Sequence, residues 1–240
     1  MRASPVAAAV LEELRVLVVA GITVGVVVAG VGSRLAMLIL RFTSPDGVLG
    51  VTSDDGFTIG RVTLAGTYNL LVLGALVGII GAAAYRWVAP WLLGPTWFRR
   101  VTVGLASGAV VGSMLLHADG IDFVLLQPTW LAMGLFIVLP GLFGVVVGVA
   151  VDRVEGESSW TARGRIRWLL PVALVACFPP VLPVVAVAGV VLVVWVVVRR
   201  LDPVQRLRAS APWAMLIRVS WLGIAVLGLV ALVADVRAIA

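Results

Sequence analysis

Residues 16–40 read VLVVAGITVGVVVAGVGSRLAMLIL, 25 positions with a single charge at Arg34. No other feature constrains this chain as much. About 20 apolar residues of helix cross the ~30 Å hydrocarbon core of a bilayer. Inside that core each backbone polar group must be satisfied within its own segment, so such a run has to be helical. The pattern recurs at about 64–88, 101–116, 129–151, 168–198 and 214–234. Only 12% of the residues are charged and 62% are hydrophobic, where a soluble domain carries roughly 25% charge. The predicted fold is an all-α polytopic membrane protein, a single transmembrane helical domain over 1–240 whose first partner is the lipid bilayer.

The run 168–198 raises the question of how many times the chain crosses. Its 31 residues would make a straight helix of ~46 Å, too long for one crossing. Pro179, Pro180 and Pro183 interrupt it, and proline breaks or kinks a helix by removing a donor and clashing with the preceding turn. Arginine placement arbitrates, because cytoplasmic loops are enriched in basic residues. With two arms and the N-terminus inside, 13 of the 18 arginines fall on cytoplasmic segments. Reading the run as one span moves RRLDPVQRLR outside and weakens the bias. The expectation is a bundle of about seven spans, with the FPPVLP break and the C-terminus outside. The count becomes six if 168–198 is a single or re-entrant element, and the shortness of both arms suits a re-entrant hairpin. The expected location is the plasma membrane of a bacterium. The N-terminal stretch does not read as a signal peptide, since Glu12, Glu13 and Arg15 cut its apolar part short, and the first helix is expected to be retained.

Residue usage excludes several chemistries. All 18 basic residues are arginine, so a lysine Schiff base or lysine nucleophile is ruled out. The basic residues are dispersed between apolar runs, and no nucleic-acid partner is expected. The single cysteine, Cys177, allows neither an intrachain disulfide nor a thiolate cluster, and reads as a small buried hydrophobe.

Glycine is phased. Gly104, Gly108 and Gly112 form a double GxxxG, Gly74 and Gly78 are four apart, as are Gly144 and Gly148, and Gly21 and Gly25 precede Ala29. Small residues at this spacing make a flat stripe on which helix backbones approach closely. Packing within the bundle is the plainer reading. A homo-oligomer or a membrane partner subunit docking on one stripe is the sharper one.

Between the first two apolar runs lies GVTSDDGFTIGRVT, residues 50–63, polar and turn-rich. Val51, Phe57 and Ile59 interleave with polar neighbours, and Asp54-Asp55-Gly56 is turn chemistry. This predicts a short extracytoplasmic β-hairpin at about 48–63, within an outer lid over 43–63. An isolated hairpin is marginal in water, so helix ends would have to support it. The outer loops gather Asp46, Asp54 and Asp55 with His117, Asp119 and Asp122, and Arg34 falls ~27 Å up the first span, below the lid. Arg34 either pairs with Asp119 or Asp122 to hold helices together or serves a ligand. Asp54 and Asp55 read first as turn residues and His117 as a loop histidine. The candidate ligand-binding set is Arg34, Asp54, Asp55, His117, Asp119 and Asp122. His117, Asp119 and Asp122 are also the catalytic candidates, as acid–base groups. No HExxH, GxSxG, P-loop or CxxC occurs. Neither a cofactor nor a metal is expected.

Three functions stay open on these grounds. One is a non-catalytic binding module or membrane subunit whose outer cluster and lid meet a ligand or partner, a lipid or small molecule among them. The second is a transporter of a small molecule or ion with an outer vestibule. The third is an enzyme acting on a lipid or prenyl substrate at the outer leaflet.

Overall fold

A computed structural model describes residues 4–48, 50–51, 62–116, 120, 125–156 and 159–239. Among these the chain is helical, with no strand. The helices are α1 (Pro5–Val24), α2 (Gly32–Thr43), α3 (Leu64–Val88), α4 (Thr96–Leu115), α5 (Thr129–Glu155), α6 (Ile166–Cys177), α7 (Leu182–Val198), α8 (Asp202–Ala209) and α9 (Ala211–Ile239). A π-helical stretch, Gly25–Val31, joins α1 to α2 without a break. Five helical stretches are long and apolar enough to cross a membrane: Pro5–Thr43, Leu64–Trp91, Thr129–Glu155, Pro179–Val198 and Ala211–Ile239. Helices of that kind fit an integral membrane protein. Helix α4 is 20 residues long but opens on Arg99 and Arg100, and α6 has only 12 residues.

Local chemistry sets the helix starts. Ser4 accepts a hydrogen bond from the Ala7 amide, with Pro5 in the first turn where its missing N–H costs nothing. Thr63 caps α3 in the same way by accepting from the Gly66 amide at 3.0 Å. The hairpin expected at 48–63 falls mostly on residues 52–61, outside the described residues. On its flanks, Asp46–Val48 is a short 3-10 turn and Thr63 is extended.

The break in 168–198 is present: α6 ends at Cys177, Pro179–Val181 make one 3-10 turn, and α7 starts at Leu182. Both arms return to one end of α1. Arg167, at the start of α6, reaches Glu12, while Arg199 and Arg200, just past α7, reach Glu13 and the Pro5 carbonyl. The tip packs Val181 into a cluster with Val18 and Ile22 of α1 and Ala75 and Ile79 of α3. Tyr68 donates to the Cys177 carbonyl at 3.3 Å and stacks on Phe178. Cys177 itself is exposed on the protein surface, correcting its reading as a buried group. It lies at the tip of a hairpin that packs on one side only.

Glycine governs the tightest crossing. Gly21 and Gly25 meet Gly74 and Gly78 with backbone against backbone: a Cβ on Gly21 would sit 2.8 Å from the Gly78 carbonyl oxygen, and one on Gly78 would overlap the Gly21 carbonyl oxygen. The second crossing joins α4 to α5, where Gly104 and Gly108 face Gly141 and its neighbours, and Gly144 faces Gly104 and Ser107. Gly112 sits between Ile137 and Leu232. With little hydrophobic drive between helices in lipid, such backbone contact supplies the dispersion that associates them. Gly78→Ala is therefore expected to cost about 1–3 kcal/mol through overpacking, read as a lowered thermal midpoint in mild detergent. Gly134→Ala, with open space around it, should leave the midpoint unchanged or slightly higher. Equal behaviour of the two variants would contradict the crossing.

Candidate functional site

The described polar groups concentrate at one end of the bundle. That end brings together the starts of α1, α4, α6 and α9 and the ends of α3, α5 and α7. Glu12 and Glu13 are adjacent on α1 and so diverge by about 100° around the helix, serving two sets of partners. Glu12 takes Arg15 on its own helix and Arg167 of α6, the latter at 2.9 Å. Glu13 takes Arg86 of α3 at 2.6 Å and Arg199 at 3.5 Å. Arg86 in turn holds Glu155 of α5. Beside them Asp152 accepts from Arg100 at 2.8 and 2.9 Å and from the Tyr85 hydroxyl at 3.1 Å. Gly148 makes that approach feasible, since a Cβ there would crowd Tyr85 and Arg100 at 2.8–3.0 Å.

Arg15 is the buried member of this ionic layer, 1% exposed. Besides Glu12 it donates to the Thr161 hydroxyl at 2.7 Å and to the Val154 carbonyl at 3.0 Å. Ser159 lies 2.8 Å from the same Thr161 hydroxyl. A guanidinium can be buried only when its donors are met. Here they are met by α1, by the end of α5 and by the turn Trp160–Ala162 behind it.

Next to the layer opens a cleft of about 890 Å³, within the range of small-molecule sites. Its lining joins the charged Glu13, Arg86, Arg100, Asp152 and Glu155 to the apolar Leu17, Ala83 and Val191. Trp87, Trp91, Trp195 and Trp213 with Arg99, Arg199 and Arg208 are also part of the lining. Five arginines thus face three carboxylates, leaving an excess of two positive charges. Each carboxylate is already taken by arginine. Arg99 spends its Nε on the Gly94 carbonyl and has no carboxylate partner among the described residues. Arg208 stands over the rings of Trp195 and Trp91, 4.9 and 5.8 Å from their centroids. Its Nε and the Trp213 Nε1 are buried and without hydrogen-bond partners. Among the described residues no three His, Cys, Asp or Glu side chains converge as metal ligands.

Of the residues singled out from sequence, Asp54, Asp55, His117, Asp119 and Asp122 lie outside the described residues. Arg34 lies on α2, with Nη1 at 3.9 Å from the Met37 sulfur one turn on. Gly74, Gly78, Gly104, Gly108, Gly112, Gly144 and Gly148 all stand at helix contacts, as described above. Sequence reasoning missed Glu12, Glu13, Asp152 and Glu155. The available signal was that the acids sit beside arginines at the ends of apolar runs, on the basic side.

The layer predicts an ordering of variants. Glu12→Ala strands a buried guanidinium on neutral acceptors and should cost about 3–5 kcal/mol. Arg15→Ala leaves Glu12 part-exposed and still paired with Arg167, so the loss should be smaller, about 1–3 kcal/mol. Thermal unfolding of both in the same detergent checks this, and the reverse order would contradict it. No protein-family model matches the chain, nor does any curated protein or solved structure, so its function has to be argued from this site.

Proposed function

We infer that the chain is a multi-pass membrane protein of non-catalytic kind, a binding module or membrane subunit, with the ionic layer and its cleft on the cytoplasmic side. The observation that carries this reading is the cleft: a large opening with unpaired arginine and indole donors. Orientation is supported by arginine enrichment at that end, which the positive-inside rule assigns to the cytoplasm. In this threading α1–α2, α3, α4, α5 and α9 each cross. The pair α6–α7 enters from the cytoplasmic side and returns, because the 12 residues of α6 rise only ~18 Å. The hairpin tip then ends within the membrane, and the C-terminus emerges outside. A bacterial plasma membrane remains the proposed location.

The outer cluster of Arg34, Asp54, Asp55, His117, Asp119 and Asp122, with the lid over 43–63, is proposed as a second recognition surface. Supporting it, Ser44 Oγ accepts from the Gln127 amide at 2.9 Å, and Leu40, Leu116 and Leu126 share one cluster, so the described ends of the two outer loops lie together. Transport is less well supported. Along the first span the next charge beyond Arg15 is Arg34, ~28 Å away, and apolar clusters around Val16–Val28 fill the interval. An enzyme acting through His117, Asp119 or Asp122 has no described geometry behind it.

Native mass spectrometry of the protein, gently extracted from its own membrane, tests the reading. A lipid, a small molecule or a partner chain should stay bound through mild activation. A bare monomer under every extraction condition would contradict it.

A further inference from the structure

Resting on the binding-module reading, we propose that the cleft beside the ionic layer binds a phosphate-bearing anionic amphiphile, with Arg208 and Arg99 as its phosphate-holding groups. Three observations converge on this class of ligand. First, the charge is the wrong way for an empty structural cleft. Glu13, Asp152 and Glu155 are each committed to Arg86, Arg199 or Arg100. Arg99 and Arg208 face the same space with no carboxylate of their own. A phosphate monoester or diester supplies the one or two negative charges that the lining lacks.

Second, the donors are placed but unused. Arg208 makes no hydrogen bond or ion pair among the described residues, and the rings of Trp195 and Trp91 hold its guanidinium plane. Cation–π contact fixes a cation while leaving its N–H groups for an acceptor. Trp213 Nε1 adds a neutral donor with no partner, and indole N–H groups usually find one when buried. Guanidinium N–H groups suit phosphate oxygens, often in pairs.

Third, the shape is amphiphilic. The lining combines arginine and tryptophan, the residue types that settle at a membrane interface, with the apolar Leu17, Ala83, Val191 and Leu192. A headgroup at Arg208 would leave an apolar tail to cover those apolar side chains. A free phosphate compound shares the headgroup chemistry but would leave them uncovered.

The test uses the full chain purified in mild detergent and titrated by native mass spectrometry. Phosphatidylglycerol is expected to bind at least about tenfold more tightly than phosphatidylcholine, and Arg208→Gln should remove most of that preference. Arg206→Gln, on the same short helix but away from the cleft, should not. Trp213→Phe, which removes the indole N–H together with the pyrrole part of the ring but keeps an aromatic side chain, should weaken binding a few-fold and keeps the test alive if Arg208→Gln unfolds. Inorganic pyrophosphate is titrated in parallel. If it competes with the lipid and binds alone with the same dependence on Arg208, the phosphate chemistry stands and the source is soluble. Equal affinity for the two lipids with no pyrophosphate binding would overturn the proposal, as would equal losses in Arg206→Gln and Arg208→Gln. If the anionic lipid fails while another adduct survives extraction, this inference falls and the binding-module reading stands. If nothing binds, both fall.

Discussion

Arg15 is the group on which the charged end of the bundle depends. A guanidinium at 1% exposure is tolerable only if its donors are met and its charge is balanced. Meeting those demands ties α1 to the Val154 carbonyl at the end of α5 and to the Thr161 hydroxyl in the turn beyond. The balancing acid, Glu12, then draws in α6 through Arg167, and its neighbour Glu13 draws in α3 and α7. The cleft is the space left between the elements gathered this way. An exposed ion pair contributes about 0–1 kcal/mol. A buried, multiply bonded guanidinium matters mainly through what its absence would leave unpaired.

Two kinds of contact therefore divide the work. Along the helices, Gly21, Gly25, Gly74 and Gly78 set α1 against α3 at backbone distance, and Gly104, Gly141 and Gly144 do the same for α4 and α5. These contacts fix how close helices come, but a glycine stripe tolerates sliding along its length. The ionic layer restrains register, since its partners lie on different helices. The long helices α7 and α9 contribute little buried surface. Their exposed valines and leucines suit a lipid solvent, where an apolar face needs no protein cover.

Much of the fold was legible in the sequence because bilayer thickness dictates the length of apolar runs. The starts and ends of α3 and α5 follow the runs at 64–88 and 129–151 closely, and the three prolines marked the break between α6 and α7. Other features were not legible. The π-helical stretch Gly25–Val31 has no periodic signature within a run of valine, alanine and glycine. Cys177 looked buried because its neighbours are apolar, although burial in protein and immersion in lipid leave the same mark on composition. The ionic layer was hidden for a different reason. Its partners are 73 residues apart for Glu13 and Arg86, and 155 for Glu12 and Arg167, so no local pattern joins them. Read singly, each arginine spoke only of topology. The polar cluster expected on the outer side rests on acids that crowd into short loops of the sequence, and most of those residues fall outside the described part of the chain.

The orientation of the ionic layer tests the account most directly, by labelling intact cells with a membrane-impermeant maleimide. In a Cys177→Ser background, Val62→Cys should label and Gln205→Cys should label only after the membrane is opened. Native Cys177, which the proposed threading puts at a hairpin tip within the membrane, should stay unlabelled until the protein is denatured. Labelling of Gln205→Cys in sealed cells, with Val62→Cys protected, would place the layer and its cleft outside and contradict the account.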